Sequence, residues 1–514
     1  MWLAGGAVAA VYLLGVTDAW WPTPDSALYQ GLGRELYDTG EYRFNGQVEG
    51  TVTPGLPVIL GGLYRLFGEG FWAPNLLMTL CGLGALWLAW RTLLRRTDPR
   101  TAFAVVLTTA GLYRYYDYCH LILTDAPFVL LFWLTAYGCV RVLEGRWAWL
   151  AAVVPAAGAA IAIRAPGLMV LGPWAVAVVL DRGHGARLPR RLVTGLVAGG
   201  AAVAVAAVML MLLSGYVKAS GKGFSVPTRL YSVLVGLTVL PDELANTFLA
   251  QRSPWLVPVG GLLLGLAVIG GASLWRRGKR LAAVTCGLNV LGICFVVGFR
   301  SIRARYMTAL YPLLLLLIFE GLFWSVAWLL RRKRRPVRPA ALLTAATVFS
   351  GALIAINVPK TLRHAVYYST MGRLGRYHEV IDHGIYAELR PTAELLRTRF
   401  GPSVPIAARP DRVTMLHLLG GVHTTPFKQV CPWNPWNAAH AEEIFADLQA
   451  RREVRAIVFD RAELDKRFVD RMRELLDGAA DLKLVHGGKR VRVYERLGAP
   501  AAGPASAPSG PSRN

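Results

Sequence analysis

Residues 305–335 read RYMTALYPLLLLLIFEGLFWSVAWLLRRKRR. The stretch contains an apolar run, 305–330, that ends directly in a cluster of basic residues. A helix needs about twenty apolar residues to cross the hydrocarbon core of a bilayer. Lys and Arg beside such a span concentrate in cytoplasmic loops. The stretch therefore predicts a transmembrane helix whose carboxyl end is cytoplasmic.

Similar apolar runs recur along most of the chain. Ten more are found near 2–21, 72–91, 101–118, 121–140, 148–163, 165–180, 192–213, 255–274, 281–299 and 338–357. The chain is 54% hydrophobic and 17% charged, whereas about a quarter of the residues in a soluble protein are charged. The predicted fold class is mainly α: a polytopic membrane protein of about eleven transmembrane helices, with a small extracytoplasmic α/β domain at the C-terminus.

The positive charge of the chain predicts its orientation. The net charge is +24, and residues 1–357 contain 32 Lys and Arg. Twenty of these lie in five short loops, namely 91–100, 141–147, 181–191, 275–280 and 331–338. The positive-inside rule makes these loops cytoplasmic. The basic excess thus orients the protein in the membrane, and no nucleic-acid partner is expected.

Three regions follow from this topology. Residues 1–357 form the predicted membrane domain, with a first outer loop at 22–71. Residues 358–497 read as an extracytoplasmic soluble domain. In it a buried-strand run at 454–460 precedes a helix at 468–476 and strands at 483–486 and 491–495, which is typical of a small α/β module. We expect it to be a lid or a docking module for the acceptor. Residues 498–514 are rich in Ala, Pro, Gly and Ser and are predicted to be disordered.

The first outer loop carries the strongest local signals. Thr23, Pro24 and Asp25 have the pattern of an N-cap, a first helical position and a first-turn acid. Gly40 is placed to end this helix. Its leucines at 28, 32 and 36 suggest an apolar stripe lying along the membrane surface, and a second helix is predicted from residues 53–57 to 67–68. The simple interpretation of Asp25 is an acid that the helix dipole stabilises.

Several short motifs together point to a known family. They are Pro24-Asp25-Ser26-x-x-Tyr29, Gly40-x-Tyr42, Pro54-Gly55-Leu56-Pro57, Phe67-Gly68, Leu123-Thr124-Asp125-Ala126-Pro127-Phe128, Ala162-Ile163-Arg164-Ala165-Pro166-Gly167 and Arg305-Tyr306-Met307-x-x-x-Tyr311-Pro312. In order and in topology they resemble the C-type glycosyltransferase superfamily. More narrowly, they resemble its bacterial members related to protein O-mannosyltransferases and to the lipid A aminoarabinose transferases. The resemblance covers about residues 18–330.

This resemblance implies an enzyme of the bacterial inner membrane. It would transfer a sugar with inversion from a polyprenyl-phosphate donor to a lipid, glycan or protein acceptor, on the extracytoplasmic side. Asp25 occupies the position of the family's base. Asp125 occupies that of the second outer acid, which positions the acceptor or assists Asp25. The alternative for Asp125 is again a capped helix start.

The donor phosphate needs cationic partners, since a leaving phosphate is stabilised by hydrogen-bond donors and positive charge. Arg303, Arg305 and Tyr306 lie at the mouth of a helix, and Lys218 and Lys222 lie in a loop of small residues that could close over the donor. Tyr29 completes the predicted substrate-binding set. Arg164 belongs to the wider pool of outer cations. The alternative for the arginines is contact with lipid headgroups.

Two further possibilities stay open at this point. No cofactor is expected, but a divalent cation could be bound by the acids and the histidine at positions 25, 117, 120 and 125. Glu320 lies in the middle of an apolar run, where we expect a hydrogen bond to Asn289 or to a neighbouring helix. The competing function is a polytopic transporter or lipid flippase, which usually shows internal repeats.

Overall fold

The computed structural model describes most of the chain. Its described residues are 2–497 with the exception of 19, 22, 46, 49–51, 165–167, 182–186, 213–225, 252, 298–303, 335, 369, 371–384, 410–414, 420, 428–437, 461–465 and 489–490. By contacts the chain divides into two compact units. The first, the helical unit, comprises Met1–Asp18, Gly50–Leu56 and Glu69–Thr370. The second, the mixed unit, comprises Ala19–Glu49, Pro57–Gly68 and Met371–Asn514.

Helices dominate the described residues. The α-helices are α1 (Trp2–Leu14), α2 (Pro24–Thr39), α3 (Gly55–Phe67), α4 (Trp72–Leu93), α5 (Pro99–Gly111), α6 (Tyr113–Tyr118), α7 (Asp125–Leu143), α8 (Leu150–Ile163), α9 (Leu168–Leu180), α10 (Leu188–Leu212), α11 (Val226–Leu249), α12 (Val257–Arg276), α13 (Leu281–Val297), α14 (Tyr311–Arg332), α15 (Pro339–Leu362), α16 (Ile385–Phe400), α17 (Ala438–Ala450) and α18 (Lys466–Asp477). Short 3₁₀ helices occupy Trp147–Trp149, Pro254–Leu256 and Ala304–Leu310. The strands are β1 (Arg43–Phe44), β2 (Gln47–Val48), β3 (Ile406–Ala408), β4 (Thr424–Pro426), β5 (Ala456–Asp460), β6 (Leu482–Gly487) and β7 (Val491–Arg496).

The helical unit contains the membrane-spanning helices. Among the described residues, five helices are long and apolar enough to cross a bilayer: Trp72–Leu93, Asp125–Leu143, Pro254–Arg276, Arg305–Arg332 and Pro339–Val366. Further apolar helices, such as Trp147–Ile163, are shorter. The chain is thus a mainly helical, multi-pass membrane protein, while the count of eleven spans stays a prediction. One predicted span, 101–118, is broken at Leu112, which adopts an extended conformation between α5 and α6.

Close packing in this unit depends on glycines. Helices α12 and α14 cross so tightly that a Cβ at Gly270 would lie 1.9 Å from the carbonyl oxygen of Leu317. A Cβ at Gly321 would lie 1.9 Å from the carbonyl oxygen of Leu266. In a bilayer the hydrophobic effect does not drive helices together, so small residues that allow backbones to approach stabilise such pairs. The two glycines thus set the spacing of α12 and α14.

The acid in the middle of α14 is paired at the end of a neighbouring helix. Glu320 forms an ion pair with Arg277, which follows α12. Asn289 instead donates from Nδ2 to the carbonyl oxygen of Thr285, one turn earlier in its own helix, at 2.7 Å. Of the two partners expected for Glu320, Asn289 or a neighbouring helix, the structure shows the second, since Arg277 is the C-cap residue of α12. An arginine satisfies a carboxylate close to hydrocarbon better than an amide does, because it also neutralises the charge.

The mixed unit is built on a five-stranded sheet with the order β4-β3-β5-β7-β6. Strand β3 is parallel to β4 and β5, whereas β7 is antiparallel to both β5 and β6. The strands and the helix predicted for residues 454–495 are present. The strand that follows α18, β6, lies at the edge because β7 returns beside β5. All five residues of β5 are buried, as expected for a central strand covered on both faces.

Alternate residues of β5 enter two separate cores. Ala456 and Val458 pack with Leu389 of α16 and, in the same cluster, with Ala27 of α2. Ile457 and Phe459 point the other way, into a cluster with residues of α17 and α18. The first helix of the predicted outer loop thus packs into the core of the C-terminal sheet, more than 350 positions away in sequence. No local pattern in residues 22–71 signals this contact.

Helix α2 begins and ends as the sequence predicts. The side chain of Thr23 accepts from the backbone N–H of Ser26, the Ser26 side chain accepts from the N–H of Thr23, and Gly40 ends the helix at φ 79°. The buried face includes Leu32, whereas Leu28 and Leu36 are partly exposed. It consists mainly of small and polar residues: Ser26, Ala27, Gln30, Leu32 and Gly33. A Cβ at Gly33 would lie 2.6 Å from the carbonyl oxygen of Pro57, so α2 and α3 pack backbone to backbone.

A first prediction concerns the contact between α12 and α14. Gly270→Ala forces a methyl group against a backbone carbonyl, and overpacking of this kind costs about 1–3 kcal/mol. We expect the variant to unfold at a lower temperature in detergent. Gly265→Ala, on the same helix, is the matched control, because a Cβ there meets nothing within 4 Å among the described residues. Equal melting temperatures for the two variants would contradict the close approach.

Candidate functional site

The helical unit contains one deeply buried carboxylate held by two arginines. Asp125 is the first residue of α7 and has no exposed surface. Its Oδ1 is ion-paired with Nη1 of Arg164, and its Oδ2 lies 3.5 Å from Nε of Arg305. The side chains of the arginines are 9% and 18% exposed. We call these three residues the Asp125 cluster.

Arg164 is positioned by the end of α8 and by a neighbouring turn. It follows the last residue of α8 in an extended conformation. The hydroxyl of Thr53 donates to the carbonyl oxygen of Ile163 at 2.9 Å. A Cβ at Gly55 would lie 2.6 Å from the carbonyl oxygen of Ala162. The Pro54-Gly55 turn can therefore lie against the end of α8 only because residue 55 lacks a side chain.

Arg305 reaches the cluster from a third element. It lies in the 3₁₀ helix Ala304–Leu310, directly before α14. The ring of Tyr306 stacks beneath both guanidinium groups, with its centroid 4.9 Å from Cζ of Arg164 and 5.9 Å from Cζ of Arg305. Such cation–π contacts stabilise arginines at defined positions. The tyrosine thus orients the two cations that share Asp125.

The geometry argues against one interpretation of Asp125, the capped helix start. Thr124, at the N-cap of α7, makes no side-chain cap bond, so this is not a conventionally capped helix start. Removing a carboxylate from water is costly unless it is paired, and both of its oxygens face guanidinium groups. Nη2 of Arg164 is buried and has no hydrogen-bond partner among the residues that the structure describes. The cluster therefore combines a neutralising acid with a donor that can serve a further anion.

Asp25 lies in the mixed unit, in the first turn of α2. The two side chains that cap this helix are Thr23 and Ser26, and the latter also accepts from Nε1 of Trp20 at 2.9 Å. The cap thus does not use the Asp25 carboxylate. Tyr29 follows four residues later, on the same face of the helix. Both are partly exposed, which leaves them accessible to a substrate.

The loop after α2 is attached to the C-terminal sheet. Asn45, at φ 55°, turns the hairpin between β1 and β2. Its amide pairs with the backbone of Thr424 in β4: Oδ1 accepts from the N–H at 3.0 Å, and Nδ2 donates to the carbonyl oxygen. The ring of Phe44 meets that of His417 edge to face, with centroids 4.7 Å apart. Within the mixed unit, these contacts fix the helix that carries Asp25.

His417 is partly buried in the mixed unit. Burial lowers its pKa from the ordinary value near 6.5, although Nδ1 donates to the carbonyl oxygen of Val422 at 2.9 Å. A base whose pKa is lowered by folding favours the folded state above its unfolded pKa, and this contribution is lost as the pH falls. The attachment of the hairpin is thus strongest at neutral and alkaline pH.

Comparisons with known proteins agree with this fold. Residues 51–213 match the profile of a family described as dolichyl-phosphate-mannose-protein mannosyltransferase. The structure is similar to that of ArnT from Cupriavidus metallidurans bound to undecaprenyl phosphate, with 16% identity, 98% of each chain covered and a TM-score of 0.54. It is also similar to the oligosaccharyltransferase AglB from Archaeoglobus fulgidus in complex with an inhibitory peptide and a dolichol-phosphate. There the identity is 11%, the TM-score 0.52, and 89% of this chain and 69% of that chain are covered.

The profile match over residues 51–213 and the shared fold both agree with the C-type glycosyltransferase superfamily. The resemblance inferred from the short motifs is therefore confirmed. No curated protein sequence matches the chain. For this glycosyltransferase-like chain, the family profile covers the turn with Thr53 and Gly55, Asp125 and Arg164.

The predicted site residues fall into three groups. Asp125, Arg305 and Tyr306 are brought together, and Asp25 and Tyr29 share one face of α2. Lys218, Lys222 and Arg303 lie outside the described residues. Arg164, which the sequence offered only as one of several outer cations, is the closest partner of Asp125. Its position after α8 and before a Pro-Gly pair was the only signal, and the ion pair itself joins positions 39 residues apart.

Two of the four residues that the sequence suggested for a cation site, His120 and Asp125, are engaged by other groups. Both ring nitrogens of His120 face backbone carbonyl oxygens, those of Tyr116 at 2.8 Å and Tyr12 at 2.9 Å. Asp125 is engaged by arginines. Among the described residues, no group of three or more His, Cys, Asp or Glu side chains is arranged to hold a metal.

A second prediction tests the Asp125 cluster. Asp125→Asn leaves two largely buried guanidinium groups without their counter-charge, and breaking a buried pair costs about 3–5 kcal/mol. We expect a clear drop in the thermal unfolding temperature of the purified protein. Asp25→Asn, also a change at the start of a helix, should lower stability by less than about 1 kcal/mol.

A double variant separates charge from size. Asp125→Asn combined with Arg164→Gln removes one unneutralised cation and should recover part of the lost stability, as coupled neighbours do. An Asp125→Asn protein as stable as the parent would rule out a structural ion pair at this position.

Proposed function

We propose that the chain is a membrane glycosyltransferase that transfers a sugar from a polyprenyl-phosphate donor. The acceptor is a lipid, a glycan or a protein, and the reaction takes place on the extracytoplasmic side of the bacterial inner membrane. The observation that carries the proposal is the Asp125 cluster, with two arginines and a tyrosine at the ends of apolar helices. The fold supports it, since ArnT, which shares that fold, is bound to undecaprenyl phosphate.

The donor phosphate is assigned to Arg164 and Arg305. Guanidinium groups bind phosphate oxygens through paired N–H donors, and Nη2 of Arg164 is a buried donor with no partner among the described residues. Asp125 keeps both cations in place and limits their net charge to one when no donor is bound. A phosphate group that enters the cluster then supplies the remaining negative charge. Asp125 acts as a positioning residue in this scheme.

Asp25 is assigned to the acceptor. In an inverting displacement, the acceptor oxygen attacks the anomeric carbon while the bond from that carbon to the phosphate oxygen breaks. The electron pair of the broken bond leaves with the phosphate, where Arg164 and Arg305 stabilise the new charge. The proton of the acceptor hydroxyl passes to the carboxylate of Asp25. Tyr29, one turn further along α2, contacts the substrate on the same face.

The mixed unit supports this role of Asp25. Helix α2 is held by a core residue, Ala27, by the contact between Gly33 and α3, and by the bonds of Asn45 to Thr424. A base must lie within hydrogen-bond reach of the proton that it removes. The C-terminal sheet thus serves as the support of the acceptor-binding helix. Support of this helix is a more specific role than the lid or docking module that the sequence led us to expect.

A third prediction tests Asp25 as the base. Asp25→Asn keeps the size of the side chain but removes its basicity, so turnover should fall by about 10²–10⁴-fold. Donor binding and thermal stability should stay near those of the parent. The measurement is sugar transfer by purified protein that is given several polyprenyl-phosphate sugars together with envelope lipids or glycans.

The matched control is Asp38→Asn, because Asp38 lies on the same helix near its exposed end. This variant should transfer sugar at the parental rate. Near-parental transfer by Asp25→Asn would mean that the base lies elsewhere. A protein that moves the donor lipid across the bilayer without transferring sugar would favour the flippase alternative. Transfer that persists in a chelator would support the expectation that no divalent cation is required.

A fourth prediction tests the donor phosphate. Arg305→Ala should weaken binding of undecaprenyl phosphate by about tenfold or more, because a charge-assisted hydrogen bond contributes about 1.5–3 kcal/mol. Arg305→Lys should restore only part of the lost affinity, since the planar fork of the guanidinium group is lost. Arg100→Ala, an exposed arginine at the start of α5, is the control. Unchanged affinity in Arg305→Ala would reduce this arginine to a structural partner of Asp125.

A further inference from the structure

A second polar site lies at the opposite end of the helical unit. A cavity of about 310 Å³ lies beside the end of α4 and the start of α13, where the basic loops are found. Glu144, which directly follows α7, is paired with Arg95 in the wall of the cavity. Asp125 begins that helix of 19 residues, so about 27 Å of helix separate the two places. The cavity is therefore not part of the Asp125 cluster.

The cavity contains an arginine with unused donors. Arg96 is ion-paired through Nη1 with Oδ2 of Asp181, and its side chain is 11% exposed. The other oxygen of Asp181 accepts from the backbone N–H of Arg280 at 3.0 Å. Both oxygens of this carboxylate are thus engaged. Nε and Nη2 of Arg96 are buried and have no hydrogen-bond partner among the described residues.

These two nitrogens form one edge of the guanidinium group. An edge of this kind binds two oxygen atoms of a phosphate or a carboxylate at once. Leaving such donors unpaired in a buried place costs about 1–3 kcal/mol per group, so a ligand that satisfies them is stabilised. Because Arg96 lines the cavity, this unused edge belongs to the cavity wall.

The balance of charge at the cavity is positive. Glu320 is ion-paired with Arg277, and Glu144 is ion-paired with Arg95. Lys279 also lines the cavity, and its ammonium group donates to the carbonyl oxygen of Arg96 at 3.3 Å. It forms no ion pair with a carboxylate among the described residues. Lys279 is thus a spare cation beside the unused edge of Arg96.

Most of the remaining lining residues are apolar, although Thr92 and Thr97 also line the cavity. Trp174, Leu274, Leu281, Leu313 and Leu316 line the cavity. An inorganic anion would satisfy the arginine and the lysine but would leave this surface in contact with water. An amphiphile with an anionic head would pair with these cations and would also cover the apolar surface. Burial of apolar area is favourable at about 25 cal/mol per Å².

We propose that this cavity binds the phosphate-bearing headgroup of an anionic membrane lipid. The phosphoryl oxygens accept from Nε and Nη2 of Arg96 and from the ammonium group of Lys279. The start of an acyl chain lies along Trp174 and the neighbouring leucines. The site is independent of the proposed donor site, because it shares no residue with it.

The test uses the full-length protein, purified in detergent and stripped of lipid. Phosphatidylglycerol, diacylglycerol and inorganic phosphate are added separately, and binding is followed by native mass spectrometry and by thermal unfolding. We expect phosphatidylglycerol to bind and to raise the unfolding temperature. Diacylglycerol lacks the phosphate and inorganic phosphate lacks the chains, so neither should reproduce the effect at the same concentration.

Two variants assign the binding to this cavity. Arg96→Lys keeps a cation beside Asp181 but removes the edge formed by Nε and Nη2. Lys279→Ala removes the spare cation. Each should weaken phosphatidylglycerol binding by about tenfold, as expected for one charge-assisted contact. Lys279→Arg should retain most of the affinity. Lys333→Ala, an exposed lysine of another basic loop, should leave it unchanged.

Three results would overturn the proposal. Parental affinity in both Arg96→Lys and Lys279→Ala would remove these side chains from the lipid site. Equal binding of diacylglycerol would show that the phosphate is not recognised. Stabilisation by inorganic phosphate alone, lost in Lys279→Ala, would assign the cavity to a free anion instead of a lipid.

Discussion

The helical unit depends on the neutralisation of a carboxylate that has no contact with water. Asp125 is completely buried at the start of an apolar helix, where an unpaired charge would be very costly. The pairing with Arg164 and Arg305 therefore fixes three chain segments at once: the start of α7, the end of α8 and the turn before α14. The same contact makes the cluster suitable for phosphate, because two cations share one acid. Stability and proposed chemistry thus rest on one interaction.

A second constraint concerns the helix that carries Asp25. A general base is effective only when it is held at a fixed position, and a loop between two membrane spans does not provide this alone. In the mixed unit, α2 is fixed by a small buried face and by a hairpin whose Asn45 pairs with a strand of the sheet. Glycines at 31 and 33 allow these close contacts, since a Cβ at either position would meet Phe44 or the backbone of α3.

Much of the local structure could be predicted. The cap at Thr23, the end of α2 at Gly40 and the strands of the C-terminal module follow from residue types and spacings that act over a few positions. Other features depend on distant partners. The buried face of α2 consists mainly of small and polar residues, because these pack against other segments of the mixed unit. Glu320, for which Asn289 or a neighbouring helix was expected, pairs with Arg277 at the end of α12, because the crossing of α12 and α14 brings the guanidinium within reach.

The sequence by itself predicted a mainly helical membrane protein, a resemblance to one glycosyltransferase superfamily and the chemical type of the candidate residues. Apolar length, the clustering of basic residues and short motifs are all properties of neighbouring positions, and the bilayer imposes them directly. Only the tertiary structure decided which groups meet. It selected Arg164 from several outer cations as the partner of Asp125, and it left one edge of Arg96 unused beside Lys279. The reason is physical: the pairing of a buried charge depends on distances of a few ångströms between segments far apart in the chain, and these distances are set by helix packing.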